Sequence, residues 1–134
     1  LLSKFINQMM LDGKKSTAQK VVYDALQKVS DKTKNDPLLV FDQAIRNVGP
    51  ALEVKARRIG GANYQVAIEV RGDRKETLAM RWLRDAVRGS KGRSTADRLA
   101  DELVAASNKE GTAMKKREDV HRMAEANRAF SHFG

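Results

Sequence analysis

Cysteine is absent from the 134 residues and proline occurs only twice. Without thiols there is no disulfide framework, no thiolate nucleophile and no zinc centre of the usual cysteine-bearing kind. No apolar run approaches the roughly 18 residues that a membrane span needs, and no charged segment leads into an apolar stretch and cleavage site as in a secretory signal. These absences suit a reducing, intracellular compartment and no membrane partner. Aromatic residues are scarce, at 5% with a single tryptophan. A protein that stacks unpaired bases displays a row of rings. Here Phe5, Tyr23, Phe41, Trp82 and Phe130 fall on or beside apolar stripes and read as core, and Tyr64 on the central hairpin reads as packing there. No phosphate-cradling loop, paired metal-ligand motif or nucleophile with an evident base is present. The chain therefore reads as a non-enzyme, with no cofactor, metal or small-molecule substrate. It opens on Leu1 rather than methionine, so an amino-terminal piece is expected to precede it.

What is abundant is positive charge. Lysine and arginine number 26 against 17 acidic residues, for a formal charge of +9 and a pI near 10.0. That excess favours a polyanionic partner. The 41% of hydrophobic residues suffices for a real core, and the length fits a single domain over residues 1–134.

Apolar residues recur at helical spacing except between Pro50 and Trp82. There Leu52, Val54 and Ala56 alternate with Glu53, Lys55 and Arg57, and Tyr64, Val66, Ile68 and Val70 alternate with Gln65, Ala67 and Glu69. Period two means strand, and the Gly60-Gly61 break between the runs means a hairpin, over about residues 51–71. The apolar set of each strand is expected to face inward, holding the ribbon to the helices through Val54, Val66 and Ile68. Lys55, Arg57 and Arg58 are expected on the outward face. The tip, Arg58, Ile59, Gly60, Gly61, Ala62 and Asn63, should project from the body.

Six helices surround this hairpin. The first carries Leu2, Phe5, Ile6, Met9 and Met10, with Gly13 as C-cap. After Lys14 and Lys15, Ser16 and Gln19 form a capping box for the second, whose stripe is Ala18, Val21, Val22, Ala25, Leu26 and Val29. Asp36-Pro37 opens the third, with Leu38, Phe41, Ile45 and Val48 on its face, and Gly49-Pro50 closes it. Asp73 with Glu76 caps the fourth, lined by Leu78, Trp82 and Ala86. Ser94 caps the fifth, with Ala96, Leu99, Ala100, Leu103 and Ala106 inward and Gly111 as its stop. Thr112 caps the sixth, carrying Met114, Val120, Met123, Ala124, Asn127 and Phe130. The expected fold is mainly α: about six helices in a bundle-like domain, with a protruding two-stranded antiparallel hairpin between the third and fourth.

Charge concentrates where the hairpin meets the next helix. From Arg71 to Arg93 there are eight basic and three acidic residues. Lys115, Lys116 and Arg117 stand in the first turns of the last helix, where the macrodipole disfavours cations. A phosphate docked there would relieve the conflict and use the free backbone N–H groups. His121 and His132 lie about 16 Å apart along that helix and cannot share a metal; each reads as a surface or hydrogen-bonded residue. The whole points to folded RNA or duplex, read through phosphates and shape. An architectural duplex-DNA binder using the ribbon as an arm, and a helical protein-interaction scaffold, are the readings from other classes.

Four segments resemble the small-subunit ribosomal protein seven family, in that family's order: DGKKSTA at Asp12–Ala18, VKARRIGGANYQVAIEV at Val54–Val70, LAMRWL at Leu78–Leu83, and KKREDVHRMAEANRAFSHF at Lys115–Phe133. The chain looks like the bacterial type, to which organellar versions are closely similar. It lacks the basic extension that usually precedes the first helix, has Ala67 where proline is common, and stops at Gly134 where many members continue. The resemblance implies a binder of the small-subunit rRNA at a junction in the 3′ major domain, nucleating assembly of the subunit head. It implies a ribbon near the exit-site tRNA and the mRNA path, neighbouring proteins of head and platform, and a cytoplasmic place in the small subunit. Some bacterial members repress translation of their own operon messenger. The RNA-binding set is then Lys14, Lys15, Lys55, Arg57, Arg58, Arg71, Arg74, Lys75, Arg81, Lys91, Arg93, Lys115, Lys116, Arg117, His121 and Arg122, with the tip at Arg58–Asn63 beside tRNA and mRNA.

Overall fold

The computed structural model describes residues 1–127. The chain runs α1 (Leu2–Met9), α2 (Lys15–Thr33), α3 (Pro37–Val48), β1 (Leu52–Ile59), β2 (Ala62–Glu69), α4 (Gly72–Gly89), α5 (Thr95–Ser107) and α6 (Thr112–Ala126). The mainly α architecture, with a two-stranded antiparallel sheet between the third and fourth helices, is the expected one. Phe130 and His132 lie outside the described residues.

One hydrophobic cluster draws on all six helices. Phe5 of α1 meets Phe41 of α3 edge to face, with ring centroids 5.3 Å apart, an arrangement favoured by the ring quadrupoles. The middle of the bundle belongs to α5, which packs on α2, α3, α4 and α6. Its inward face alternates Leu99 and Leu103 with Ala100 and Ala106, all buried, and the alanines let neighbouring helices approach closely. Ion pairs lace its outer face to α2, where Lys28 meets Asp97 at 2.9 Å and Lys32 meets Asp101, and Arg93 in the loop before α5 meets Asp101 as well.

Two of the expected helix starts hold. Asp36 accepts the Leu38 N–H at 2.9 Å, with Pro37 in the first turn, and Ser94 accepts the Asp97 N–H at 3.2 Å. Others differ. Met10 leaves α1 in an extended conformation that keeps its side chain against the core, so Gly13 shapes the following loop instead of capping the helix. Lys14 opens α2 through its carbonyl, which accepts the Ala18 N–H, and Ser16 makes no capping bond. On α4 the N-cap is Arg71, held extended because Val70 still pairs with Ala51; Asp73 falls inside the first turn and makes no cap. On α3 the buried set is Val40, Phe41, Ala44, Ile45 and Val48, while Leu38 and Leu39 stay exposed. Met80 of α4, not part of the expected stripe, is buried.

The junction between α5 and α6 departs most. Helix α5 ends at Ser107, and Lys109 takes the left-handed turn that was expected of Gly111. Gly111 is instead the N-cap of α6, at φ +94°. It has no side chain to offer, and Thr112 makes no capping bond. The cap comes from the neighbouring helix: Glu102 of α5 accepts the Ala113 N–H at 2.8 Å. Burial pushes the Glu102 carboxyl above its usual range, against the opposing pull of the Ala113 and Thr112 N–H groups.

Candidate nucleic-acid interface

Gly60 and Gly61 both take positive φ, +55° and +85°, as a two-residue turn matched to strand twist requires. The register follows: Ile59 faces Ala62, Arg57 faces Tyr64, Lys55 faces Val66 and Glu53 faces Ile68. Directly paired residues share a face. Lys55 and Arg57 therefore stand on the same face as Val66 and Ile68, while Val54 shares the opposite face with Ala67. The expected common inward face of Val54, Val66 and Ile68 does not exist, because a two-residue loop always pairs an even-numbered position with an odd one. Arg58 likewise lies on the face opposite Lys55 and Arg57.

Both faces of the ribbon base are covered nonetheless. Val66 and Ala67 point to opposite sides and both are buried, at 0% and 6% exposure. Helix α6 packs on both strands. Val54 also meets Leu78 and Trp82 of α4 and Val120 and Met123 of α6 around a cavity of about 310 Å³. Glu53 is buried beside it and receives two hydrogen bonds from Arg74, Nε to Oε2 at 2.8 Å and Nη2 to Oε1 at 3.1 Å. The Arg74 guanidinium holds the Glu53 carboxyl below its usual range despite burial. This fork ties the root of β1 to the first turns of α4, so Arg74, though exposed, is already paired within the chain. From Lys55 to Gln65 the ribbon is exposed apart from the half-buried Tyr64, side chain of residue 59 aside.

His121 of α6 is committed as well. Its Nε2 accepts the Ala51 N–H at 2.9 Å, and the Ala51 carbonyl accepts from the Val70 N–H. The entrance to the ribbon is thus clamped on both sides of one residue. Burial first, then the Arg117 and Lys75 charges, hold the His121 imidazole below its ordinary value, and Glu125 opposes them. A lowered folded-state value means that the unfolded chain takes up a proton that the folded chain refuses. Stability from this group is therefore complete above about pH 6.5 and is lost as pH falls below it. The melting temperature of the natural sequence is expected to drop on going from about pH 7.5 to 5.5, and His121→Gln to flatten that drop. Identical pH profiles would remove His121 from this role.

The sequence-derived cations divide into two groups. Arg74, Arg93 and Arg122 are ion-paired, to Glu53, to Asp97 and Asp101, and to Asp119. Lys14, Lys15, Lys55, Arg57, Arg58, Arg71, Lys75, Arg81, Lys91, Lys115, Lys116 and Arg117 make no ion pair among the described residues. All are exposed except Lys75, Arg81 and Arg117, which are half-buried. The three cations of α6 diverge: Lys116 lines the cavity beside Trp82, whereas Arg117 lines a cleft with Arg46 and Lys75. The N–H groups that a phosphate was expected to use at this helix end already serve Glu102. The buried Glu53 and the half-buried Glu102 read as surface carboxylates in the sequence, because each answers a partner on another element and leaves no local pattern. Among the described residues no group of three or more His, Cys, Asp or Glu side chains converges as a metal site, and no helix is long and apolar enough to cross a membrane.

The fold and its charge define a class: mainly helical proteins that carry a basic antiparallel ribbon, rooted in the body and free at its tip. The chain belongs to the ribosomal protein S7p/S5e family, whose pattern matches residues 1–128. It is 61% identical over 133 residues to the small ribosomal subunit protein uS7 of Thermosipho africanus, covering 99% of this chain and 86% of that one. To the uS7 proteins of Thermotoga petrophila and Moorella thermoacetica it is 58% and 57% identical, again over 99% and 98% of its length and 86% and 85% of theirs. The resemblance carried by the four motifs is thereby borne out.

Proposed function

We propose that this chain is a structural protein of the small ribosomal subunit. Its unpaired cations bind the 3′ major domain of the small-subunit rRNA and nucleate assembly of the subunit head. The ribbon base and the adjoining ends of α4 and α6 form the primary contact. The tip, Arg58–Asn63, reaches the exit-site tRNA and the mRNA path, and neighbouring head and platform proteins complete the surroundings. The same surface would serve repression of an operon messenger. One observation carries the reading: twelve of the named cations have no internal partner among the described residues, and three of them sit on the exposed arm of a ribbon whose base is locked into the body.

The test is binding of a 3′ major domain transcript across a salt series. Affinity should fall with a log–log slope of roughly 0.7–0.9 per phosphate neutralised. Lys55→Ala with Arg57→Ala should weaken binding and flatten the slope without lowering the melting temperature. A salt-insensitive interaction would refute the reading, and preference for duplex DNA over the transcript would favour an architectural DNA arm instead.

A further inference from the structure

Five buried apolar residues stand outside the central cluster: Val66, Ala67 and Val70 of the ribbon and its exit, Leu78 of α4 and Ala124 of α6. Helix α6 enters that cluster only with Ala113 and Met114, both in its first turn. Beyond Met114, Ala124 is its one buried residue among the described residues. The rest of α6 leans on the two strands, and its seat on the body is loose. Clefts of about 310 and 200 Å³ lie between it and α4, and a third of about 310 Å³ lies between it and α3. The Arg117 Nε is buried with no acceptor among the described residues, an uncompensated desolvation that opening would relieve. Lys115, Lys116 and Arg117 also oppose the macrodipole of their own helix.

Neither partner is self-sufficient. A two-stranded ribbon without cover is marginal in water, and so is an isolated helix shorter than about 12–15 residues. Each covers the other, and the His121 Nε2 that accepts the Ala51 N–H joins them. The core of α1 to α5 closes without them, through Phe5, Phe41, Leu83, Leu99 and Leu103, all buried to within 1%. The tie from the pair to the body, Arg74 to Glu53, is made by an exposed guanidinium. We infer that the ribbon and α6 beyond Met114 form one cooperative unit, which melts and reseats as a whole while α1 to α5 stay folded. The hinge is the start of α6, where Glu102 holds the Ala113 N–H. On the RNA reading above, Lys55, Arg57, Arg58, Lys115, Lys116 and Arg117 ride on this unit, so that surface is complete only in the closed state.

Hydrogen–deuterium exchange of the full chain, free of RNA, tests the unit itself. Both strands and α6 beyond Met114 should exchange together, at least about tenfold faster than the amides of α2 and α5. His121→Ala removes the acceptor of the Ala51 N–H and should speed the strands and α6 by a common factor of about two- to tenfold, with α2 and α5 unchanged. Val29→Ala, in the fully buried face of α2, should do the reverse. Trp82 supplies a second reading: it is the single tryptophan, half-buried, and lines both clefts between α4 and α6. Its fluorescence should change at lower denaturant than the helical circular dichroism. Exchange of α6 and the strands at the pace of α2 and α5, or coincident optical transitions, would overturn the separate unit. A His121 variant that speeds α6 and leaves the strands untouched would show that the two do not open together.

Discussion

Val66→Asp is expected to unseat the ribbon and to cost on the order of 3–5 kcal/mol of stability, the loss typical of an uncompensated buried charge. Val66 is completely buried at the ribbon base, on the face it shares with Lys55. Its cross-strand neighbour Lys55 is exposed to water and offsets a carboxylate at this fully buried position only in part, and Arg74 is already engaged with Glu53. Ile68→Asp should cost distinctly less, since Ile68 is only half-buried, even though it sets a second carboxylate opposite Glu53. Chemical denaturation of the two variants decides the matter. An Ile68 variant as unstable as the Val66 variant would mean that the ribbon is held along its whole inner length rather than at one rung.

Gly111→Ala is the second large effect. The residue sits at φ +94°, and an added Cβ would lie 3.1 Å from the Ala105 Cβ and 3.1 Å from Glu102 Oε1. Two penalties combine, backbone strain of about 1–3 kcal/mol and displacement of the carboxylate that caps α6. Gly92 offers the control: its φ is +99° but nothing lies within 4 Å of a Cβ there. Gly92→Ala should therefore show the strain alone, and Gly111→Ala should be the less stable of the two by denaturation. Equal losses would show that the Glu102 cap adjusts freely. Because α6 carries Lys115, Lys116 and Arg117 and also covers the ribbon, the Gly111 variant should lose RNA affinity along with stability.

Local pattern carried much of this fold. Asp36-Pro37 and Ser94 announce their helices because a cap acts within three residues, and Gly60-Gly61 between two alternating runs announces a hairpin because positive φ is a property of one residue at a time. Register is different. Reading Val54 and Val66 as one face treated each strand separately, whereas the turn length couples them. The cation set was visible as composition, but which members are free was not. Arg74 looks no different in sequence from Arg57 or Arg71, and only the arrival of Glu53 from β1 separates it; Arg122 and Arg93 do have carboxylates at helical spacing, Asp119 three positions before and Asp97 four positions after. His121 meets Ala51 across 70 positions and Glu102 meets Ala113 across 11. No periodicity in the sequence encodes either encounter.

The clamp on Ala51 also sets an order of events during synthesis. The ribbon is local and can pair as soon as Glu69 is made, but a lone two-stranded ribbon is marginal in water. Its partner for the Ala51 N–H, on the helix that packs on both of its strands, is translated 70 positions later. Until α6 emerges, Val66 and Ala67 are without that cover, and the nascent chain carries two apolar ribbon faces open to water. A helix made later closes an arm made earlier, so premature termination inside α6 leaves a chain with no seated ribbon.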